Sequence, residues 1–374
     1  MEQPLGPIPA ERLLQPMAWG QVELDLCGPF KCRGEQNPRT TVKIWGMVIE
    51  DKNSGAVHAD IVVNYSASAV LAALRRFAWL RGWPASISSD PGSQLESAGG
   101  KLESWWDQFS NSLTEFAGNK GFRWDISPAN SPWRQGRVER RIGCLKRVIK
   151  ISLGDTRVTQ SELQTCLMEA AGIANERPLT LGPPREDGTF PIITPHTLLL
   201  GRSDILPPDD VELGESLSYS DRYRIITQVT AAFWSKWATE VTPKLVDRKK
   251  WHSGMPRGLK LGDLVMISDK TAVKAKYRLA IVTSVSTSTD GVVRSAELTY
   301  YLPGPGKVEL GSDGKYKWRG GVRGKIKGRA ITVTRSVQRL SLILAVEEQS
   351  GPLVVVEDHS HVIVLREEEK NHEN

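Results

Sequence analysis

The order of strand-like and helix-like patterns constrains the fold of this 374-residue chain most strongly. Three strand-like segments come first, and the turn sequence KNSG joins the second to the third, which predicts an antiparallel meander. A segment with helical periodicity follows, and strand-like and helix-like segments then alternate. The strand-like segments lie at residues 21–26, 43–51, 56–64, 85–90 and 122–127. The helix-like segments lie at residues 66–82, 98–119 and 134–153 and from Thr159 onward. A mixed sheet with flanking helices is the natural packing of this order.

The second half of the chain has a different pattern. Two connectors rich in Pro, Gly and acidic residues precede a long helical stretch at about 221–251, which carries the aromatic sequence FWSKW. Strand-like segments follow, and the dipeptide Asp290-Gly291 between two of them is a hairpin signal. This part of the chain therefore predicts a linker helix followed by a small all-β domain of SH3-like size.

The patterns together predict five regions. They are an extended lead-in at 1–18, an α/β core at 19–180, a linker with the long helix at 181–258, a β module at 259–345 with a basic insert at 315–329, and an acidic tail at 346–374.

The basic residues are segregated along the chain. The net charge is only +6, but residues 122–154 contain eight Arg/Lys and two acids, and residues 315–329 contain seven Arg/Lys and no acid. Segregation of this kind indicates a nucleic-acid-binding face. The insert has two readings: it binds DNA, with Tyr316 and Trp318 able to stack on bases, or it is a solvated insert.

Cysteine usage and hydropathy narrow the class of protein. The four cysteines include no CxxC pair, and Cys27 with Cys32 supplies only half of a zinc site, so neither a disulfide framework nor zinc is expected. The sequence has no apolar run of about 18 residues and no N-terminal apolar segment, so we expect neither a membrane span nor a signal peptide.

Three carboxylates stand out by their positions. Asp25 lies within a strand, Asp90 closes a short strand before Pro-Gly, and Glu139 lies on a basic helix. Each has an ordinary explanation: a solvated strand position, a turn former and an ion-pair partner, respectively. Two Asp and one Glu are also a sufficient set of hard oxygen ligands for two Mg²⁺ ions, which catalyse phosphodiester transfer.

The geometry of the basic helix supports the second explanation for Glu139. One stripe of the helix is apolar and can pack on the sheet (Val138, Ile142, Leu145, Ile149), and the adjacent stripe contains Gly136, Glu139, Gly143, Lys146 and Lys150. A glycine inside a helix costs about 1 kcal/mol, so Gly143 suggests that space is needed. A metal with a phosphate backbone would use that space, as would a closely packed second helix.

Three motifs carry a resemblance to a known family. VELDLCGPF, SSDPGSQL and SPANSPWRQGRVERRIGCLKR resemble, in order, the catalytic motifs of retroviral-type integrases, and they look most like those of Pao/BEL-type LTR retrotransposons. The resemblance implies an RNase H-like core in which Asp25, Asp90 and Glu139 form a D,D,E triad that binds two Mg²⁺ or Mn²⁺ ions. It also implies donor-end processing and strand transfer into target DNA.

The resemblance extends to about residue 345, because the long helix and the β segments look like the module that follows the core in Pao-type polyproteins. It implies a homo-oligomer that binds donor-end and target DNA and is located in the nucleus. It also implies a phosphate-binding role for Lys146, seven residues after Glu139, whereas the simplest alternative is that Lys146 only solvates the helix. The predicted DNA-binding residues are Arg134, Gln135, Arg137, Lys146, Lys150, Lys317, Trp318, Arg319, Arg323, Lys325 and Lys327.

The sequence departs from the family pattern in three places. Pro91 follows the second Asp, 48 residues separate Asp90 from Glu139, and the 18 residues before the core are too few for a His/Cys zinc domain. We therefore expect a piece of a polyprotein or a gene derived from one. Two alternatives stay open: a domesticated nucleic-acid-binding protein with an unused site, and an RNase H-like nuclease.

Overall fold

The computed structural model describes residues 18–89, 123–126, 138–186, 189–202, 221–240, 258–268, 277–288, 291–302, 307–310, 316–319, 329–357 and 362–366. The chain divides into two compact units, one formed by Met1–Asn175 with Pro208–Phe233 and the other by Glu176–Pro207 with Trp234–Asn374.

A five-stranded mixed sheet forms the centre of the first unit. Its strands are β1 (Gln21–Arg33), β2 (Thr41–Asp51), β3 (Val57–Val62), β4 (Ser86–Ser89) and β5 (Arg123–Ile126). Their order across the sheet is β3-β2-β1-β4-β5. The first three strands are antiparallel neighbours, and β4 and β5 add in parallel. This sheet and its flanking helices confirm the predicted RNase H-like fold of the core.

Three helices belong to this unit: α1 (Ala67–Arg81), α2 (Val138–Leu153) and α3 (Gln160–Asn175). Ser66 caps α1 as predicted, because its side chain accepts the N–H of Ala69 at 3.3 Å. At the start of α3, the Glu162 carboxylate accepts the Thr159 N–H at 2.7 Å, and the Thr159 hydroxyl accepts the Glu162 N–H at 3.3 Å. This reciprocal capping box fixes where α3 begins. The predicted helix at 98–119 lies outside the described residues.

The first part of strand β1 has buried residues on both faces. Val22, Leu24 and Leu26 are buried on one side, and Glu23 and Cys27 are buried on the other. Asp25 lies between Glu23 and Cys27 on the second side and is partly exposed, so the alternative explanation of a solvated strand position stays open for it. On α2 the predicted apolar stripe is confirmed for its described side chains, which are buried at Ile142, Leu145 and Ile149.

The second unit contains short strands and helices followed by a larger sheet. Its elements are β6 (Thr180–Leu181), β7 (Thr189–Phe190), β8 (Ile192–Ile193), α4 (Pro195–Leu200), β9 (Leu264–Ile267), β10 (Arg278–Thr287), β11 (Val293–Leu302), β12 (Lys307–Leu310), β13 (Tyr316–Arg319), β14 (Arg329–Ser336), β15 (Leu340–Leu344), β16 (Leu353–Glu357) and β17 (Val362–Arg366). The long helix α5 (Asp221–Glu240) has residues in both units.

The β module has the predicted SH3-like arrangement. Its strands follow the order β15-β9-β10-β11, with β14 paired to β11, and a short 3-10 helix at Val337–Arg339 joins β14 to β15. Strands β10 and β11 form the antiparallel hairpin that the Asp-Gly signal predicted. Trp237 of α5 donates its Nε1–H to the hydroxyl of Tyr277, a residue of the module, at 2.8 Å.

The region predicted as an acidic tail differs from that prediction. Strands β16 and β17 lie within it, pair with each other, and extend the sheet from β11 to β7. Val355, Val356 and Val364 are buried there. The two runs of β-branched residues gain more from joining a sheet than the flanking acids lose. The boundaries predicted for the five regions otherwise stay predictions.

Among the helices that the structure describes, none combines the length and the apolar content that crossing a bilayer requires.

Candidate metal-binding and nucleic-acid site

Asp25 lies on the central strand of the core sheet. It pairs with Val48 of β2, and its side chain is 31% exposed. The Oδ1 atom accepts the backbone N–H of Leu26 at 2.7 Å. The Oδ2 atom contacts the ammonium group of Lys146, which also donates to the carbonyl oxygen of Leu26 at 3.3 Å. The half-buried carboxylate of Asp25, in the middle of the sheet, thus forms an ion pair with the ammonium group of Lys146.

Strand β4 brings the position before Asp90 next to this carboxylate. Strands β1 and β4 are parallel, and their register pairs Leu24 with Ser89. Leu24 directly precedes Asp25 in the chain, and Ser89 directly precedes Asp90. Asp90 itself lies outside the described residues, so its predicted place in the triad stays a prediction.

Glu139 lies in the first turn of α2, where the structure describes the backbone. Lys146 follows seven residues later, which is about two turns and about 10 Å along the helix axis. Residues at this spacing lie on nearly the same face of a helix, and Lys146 lies against Asp25. The backbone of Glu139 is therefore on the face of α2 that meets the central strand at Asp25. Its role as a metal ligand stays a prediction.

The surface of α2 between these two residues is open. Gly143 is exposed, and a Cβ atom built on it would meet no atom of the described chain within 4 Å. The alternative explanation for this glycine, close packing against another helix, therefore has no support in the described residues. The space remains available to a ligand.

Burial raises the pKa values of three weakly acidic side chains in this unit. Burial raises the pKa of the Cys27 thiol to about 12, while the nearby Lys146 lowers it and Asp25 raises it further. Burial also raises the pKa of Cys32, to about 11. Both thiols are therefore protonated near neutral pH. Burial likewise raises the pKa of Tyr65, and Asp25 adds to the effect.

The chemistry of this position fits a hard divalent cation. Its donors are a carboxylate and a backbone carbonyl, the oxygen ligands that Mg²⁺ and Mn²⁺ prefer. The ammonium group of Lys146 shows that a cation is accepted there. Within the described part of the chain, no three His, Cys, Asp or Glu side chains group as a metal site. The fit therefore rests on Asp25, the one carboxylate of the predicted triad whose side chain is described.

The predicted DNA-binding residues fall into three sets. Lys146 contacts Asp25 rather than solvent, and Lys150 is exposed one turn further along α2. The backbones of Lys317, Trp318 and Arg319 form β13, which pairs with β12 through residues 307–310. Part of the basic insert is therefore a strand hairpin rather than an irregular loop. The remaining residues lie outside the described ranges: Arg134, Gln135, Arg137, Arg323, Lys325 and Lys327.

Sequence reasoning missed two polar contacts, one partly buried and one buried. It assigned Lys146 to phosphate and did not foresee its contact with Asp25, which lies 121 residues earlier in the chain. It also missed the second unit's pair of buried residues, His196 and Glu176, whose Nδ1 and Oε1 atoms are 2.7 Å apart. No local pattern marks either pair, because the partners come from segments distant in the sequence.

Comparison with known proteins gives limited matches. A family of unknown function, DUF5641, matches residues 221–301, which include α5 and the first strands of the β module. No curated protein matches the sequence.

Solved structures of integrases share similarity with the chain at low identity. The HTLV-2 integrase catalytic core domain in complex with magnesium is 18% identical, with 44% of this chain and 90% of that chain covered and a TM-score of 0.28. The BIV integrase catalytic core domain is 17% identical, with 49% and 95% covered and a TM-score of 0.30. The simian T-cell lymphotropic virus intasome in complex with a PP2A regulatory subunit is 13% identical, with 89% and 81% covered and a TM-score of 0.32. At these scores, the strand order of the core remains the stronger indication of its fold.

Proposed function

We propose that this protein is a metal-dependent polynucleotidyl transferase that processes donor DNA ends and joins them to target DNA. In its finer detail, the proposal is an integrase of the Pao/BEL retrotransposon type that works as a homo-oligomer in the nucleus. The sequence motifs support the type, and the topology of the core supports the class of enzyme.

One observation carries the proposal: Leu24 and Ser89 pair in neighbouring parallel strands, immediately before Asp25 and Asp90. Consecutive Cα atoms lie about 3.8 Å apart, so Asp90 cannot be far from the end of β4. In open α/β sheets, ligands bind outside the carboxyl ends of the strands. A carboxylate on β1 and another just after the end of β4, with the Glu139 face of α2 beside them, suit a site for two metal ions.

The residues divide into two roles in this proposal. Asp25, Asp90 and Glu139 hold two Mg²⁺ or Mn²⁺ ions, which would activate the attacking oxygen and stabilise the leaving oxygen. Lys146 and Lys150 lie further along the same face of α2, where they hold the phosphate backbone near the carboxylates. Buried strand β1 fixes the backbone of Asp25, so the carboxylate is positioned before DNA binds.

The basic insert of the β module would add phosphate contacts that carry no sequence information. Its Arg and Lys residues are interspersed with Gly and aromatic residues, and no acid occurs between Lys315 and Arg329. Contacts of this type give affinity that falls with salt and help to hold both duplexes.

A strand-transfer assay on the full chain tests the function. Duplex oligonucleotides serve as donors, a plasmid serves as target, and Mg²⁺ or Mn²⁺ is supplied. Asp25→Asn and Asp90→Asn should each abolish joined products and leave duplex affinity unchanged or slightly tighter, because an amide is a poor ligand for a hard cation. Asp155→Asn, an exposed position after α2, is the matched control and should keep full activity.

The same assay separates the alternatives. Cleaved donors without joined products would indicate an RNase H-like nuclease. The contact between Asp25 and Lys146 favours one further candidate, a DNA-binding protein whose site is not used. Duplex binding with neither cleavage nor joining, under both metals, would replace the proposed function with that one.

A further inference from the structure

We infer that Lys146 is a built-in competitor for the metal position at Asp25: its ammonium group neutralises the carboxylate until a divalent ion takes its place, and the displaced side chain is then free to bind phosphate. The inference rests on the proposed function, because it concerns the same carboxylate. Lys146 would bind the Asp25 carboxylate first and phosphate afterwards.

The contacts of Lys146 define the first of these partners. Its ammonium group touches Oδ2 of Asp25 and lies 3.3 Å from the carbonyl oxygen of Leu26. These are two hard oxygen atoms on consecutive residues of the central strand. An ammonium group at this point occupies space that a cation bound to the same two oxygens would need.

The Lys146 side chain is more buried than that of its partner. It is 13% exposed, against 31% for Asp25. A lysine charge at this depth is held in place by its anion, since an unpaired buried ammonium group is strongly disfavoured. A divalent ion at Asp25 would both remove that anion's charge and repel the ammonium group. The face of α2 that carries exposed Gly143 and Lys150 offers space into which the side chain can move.

Competition of this kind couples two binding events. The ion pair lowers the apparent metal affinity of the empty site, and the metal makes a cation available for phosphate. By linkage, phosphate bound to Lys146 favours metal at Asp25 to the same degree. The Lys146–Asp25 ion pair therefore weakens metal binding in the absence of DNA, and a bound DNA backbone strengthens it.

Metal affinity measured by titration calorimetry on the DNA-free full chain tests the inference, with Mg²⁺ and Mn²⁺ as probes. Lys146→Gln removes the competing charge and should tighten metal binding roughly tenfold, the change that about 1.4 kcal/mol makes in an equilibrium constant. Lys146→Arg keeps a cation beside Asp25 and should stay close to the parent protein. Arg147→Gln makes the same charge change on the adjacent, exposed residue of α2 and should tighten binding less than twofold.

The outcomes separate the inference from the proposed function. If Asp25→Asn leaves metal binding unchanged, Asp25 is no ligand and the proposed function fails. If metal binding depends on Asp25 but Lys146→Gln and Arg147→Gln shift it equally, the effect is only the general charge of the helix and the inference is overturned. Circular dichroism of each variant confirms that it is folded before its affinity is compared.

Discussion

A single buried amide fastens α3 to the edge of the core sheet, and its removal should be costly. Asn175 is 4% exposed, accepts the Val57 N–H at 2.8 Å, and donates to the Val57 carbonyl oxygen at 2.7 Å. One side chain thus satisfies both the backbone N–H and the backbone carbonyl of Val57 in β3. Asn175→Ala leaves both without that partner at a position that water reaches poorly.

The size of the effect follows from the two lost bonds. A buried polar group left unsatisfied costs about 1–3 kcal/mol, so Asn175→Ala should lower the free energy of unfolding of the first unit by about 2–4 kcal/mol. Single domains are stable by only about 5–15 kcal/mol, so this loss is easily measured. Urea unfolding gives the free energy, and hydrogen exchange across β3 locates the loss.

Two further variants sharpen this prediction. Thr165→Val, an exposed position of the same helix, should change stability by no more than about 0.5 kcal/mol. Asn175→Asp keeps the acceptor for Val57 N–H, but only its protonated form can donate to the carbonyl. The buried carboxyl should have a raised pKa, so this variant should lose stability relative to the parent as pH rises above about 4. An Asn175→Ala protein as stable as the Thr165 control would refute the reasoning.

Three more predictions concern charge. Neutralising three of the basic residues in the second half of the insert, with Arg323→Gln, Lys325→Gln and Lys327→Gln, should flatten the salt dependence of duplex binding. The log–log slope should change by up to about 0.9 per lost phosphate contact, whereas a solvated insert leaves the slope unchanged. Lys146→Ala should weaken donor-end binding more than random-duplex binding, and equal small losses for Lys146→Ala and Arg147→Ala would remove Lys146 from the site. Burial lowers the pKa of His58 from its ordinary 6.5 to about 4, with Arg81 adding to the effect. Its folded-state pKa lies below the unfolded value, so stability should fall as pH drops from about 6.5 to about 4, by up to about 3 kcal/mol. Urea unfolding of His58→Phe at pH 7 and pH 4.5 should show a smaller fall than the parent; an equal fall would exclude His58 as its cause.

Local patterns predicted most of the core because local contacts produce them. The cap at Ser66 and the buried stripe of α2 depend on residues three or four apart, and the structure has both. The strand segments were correct in existence but not in length. Strand β1 continues to Arg33, well past the six residues that alternate at its start, because pairing with β2 extends through a register shift after Cys27.

The sequence by itself determined the order of strands and helices, the mixed sheet that follows from it, the hairpin at β10–β11 and the position of Asp25 on a strand. Periodicity, capping and turn chemistry act over a few residues, so they can be read along the chain. Only the tertiary structure decided that Lys146 meets Asp25, that β16 and β17 join the sheet, and that the two-residue strand β7 pairs with β17. Each depends on which distant segments come into contact, and a two-residue strand is too short to carry any period. The side chain of a buried lysine finds its partner by packing, and no spacing in the sequence encodes which carboxylate that is.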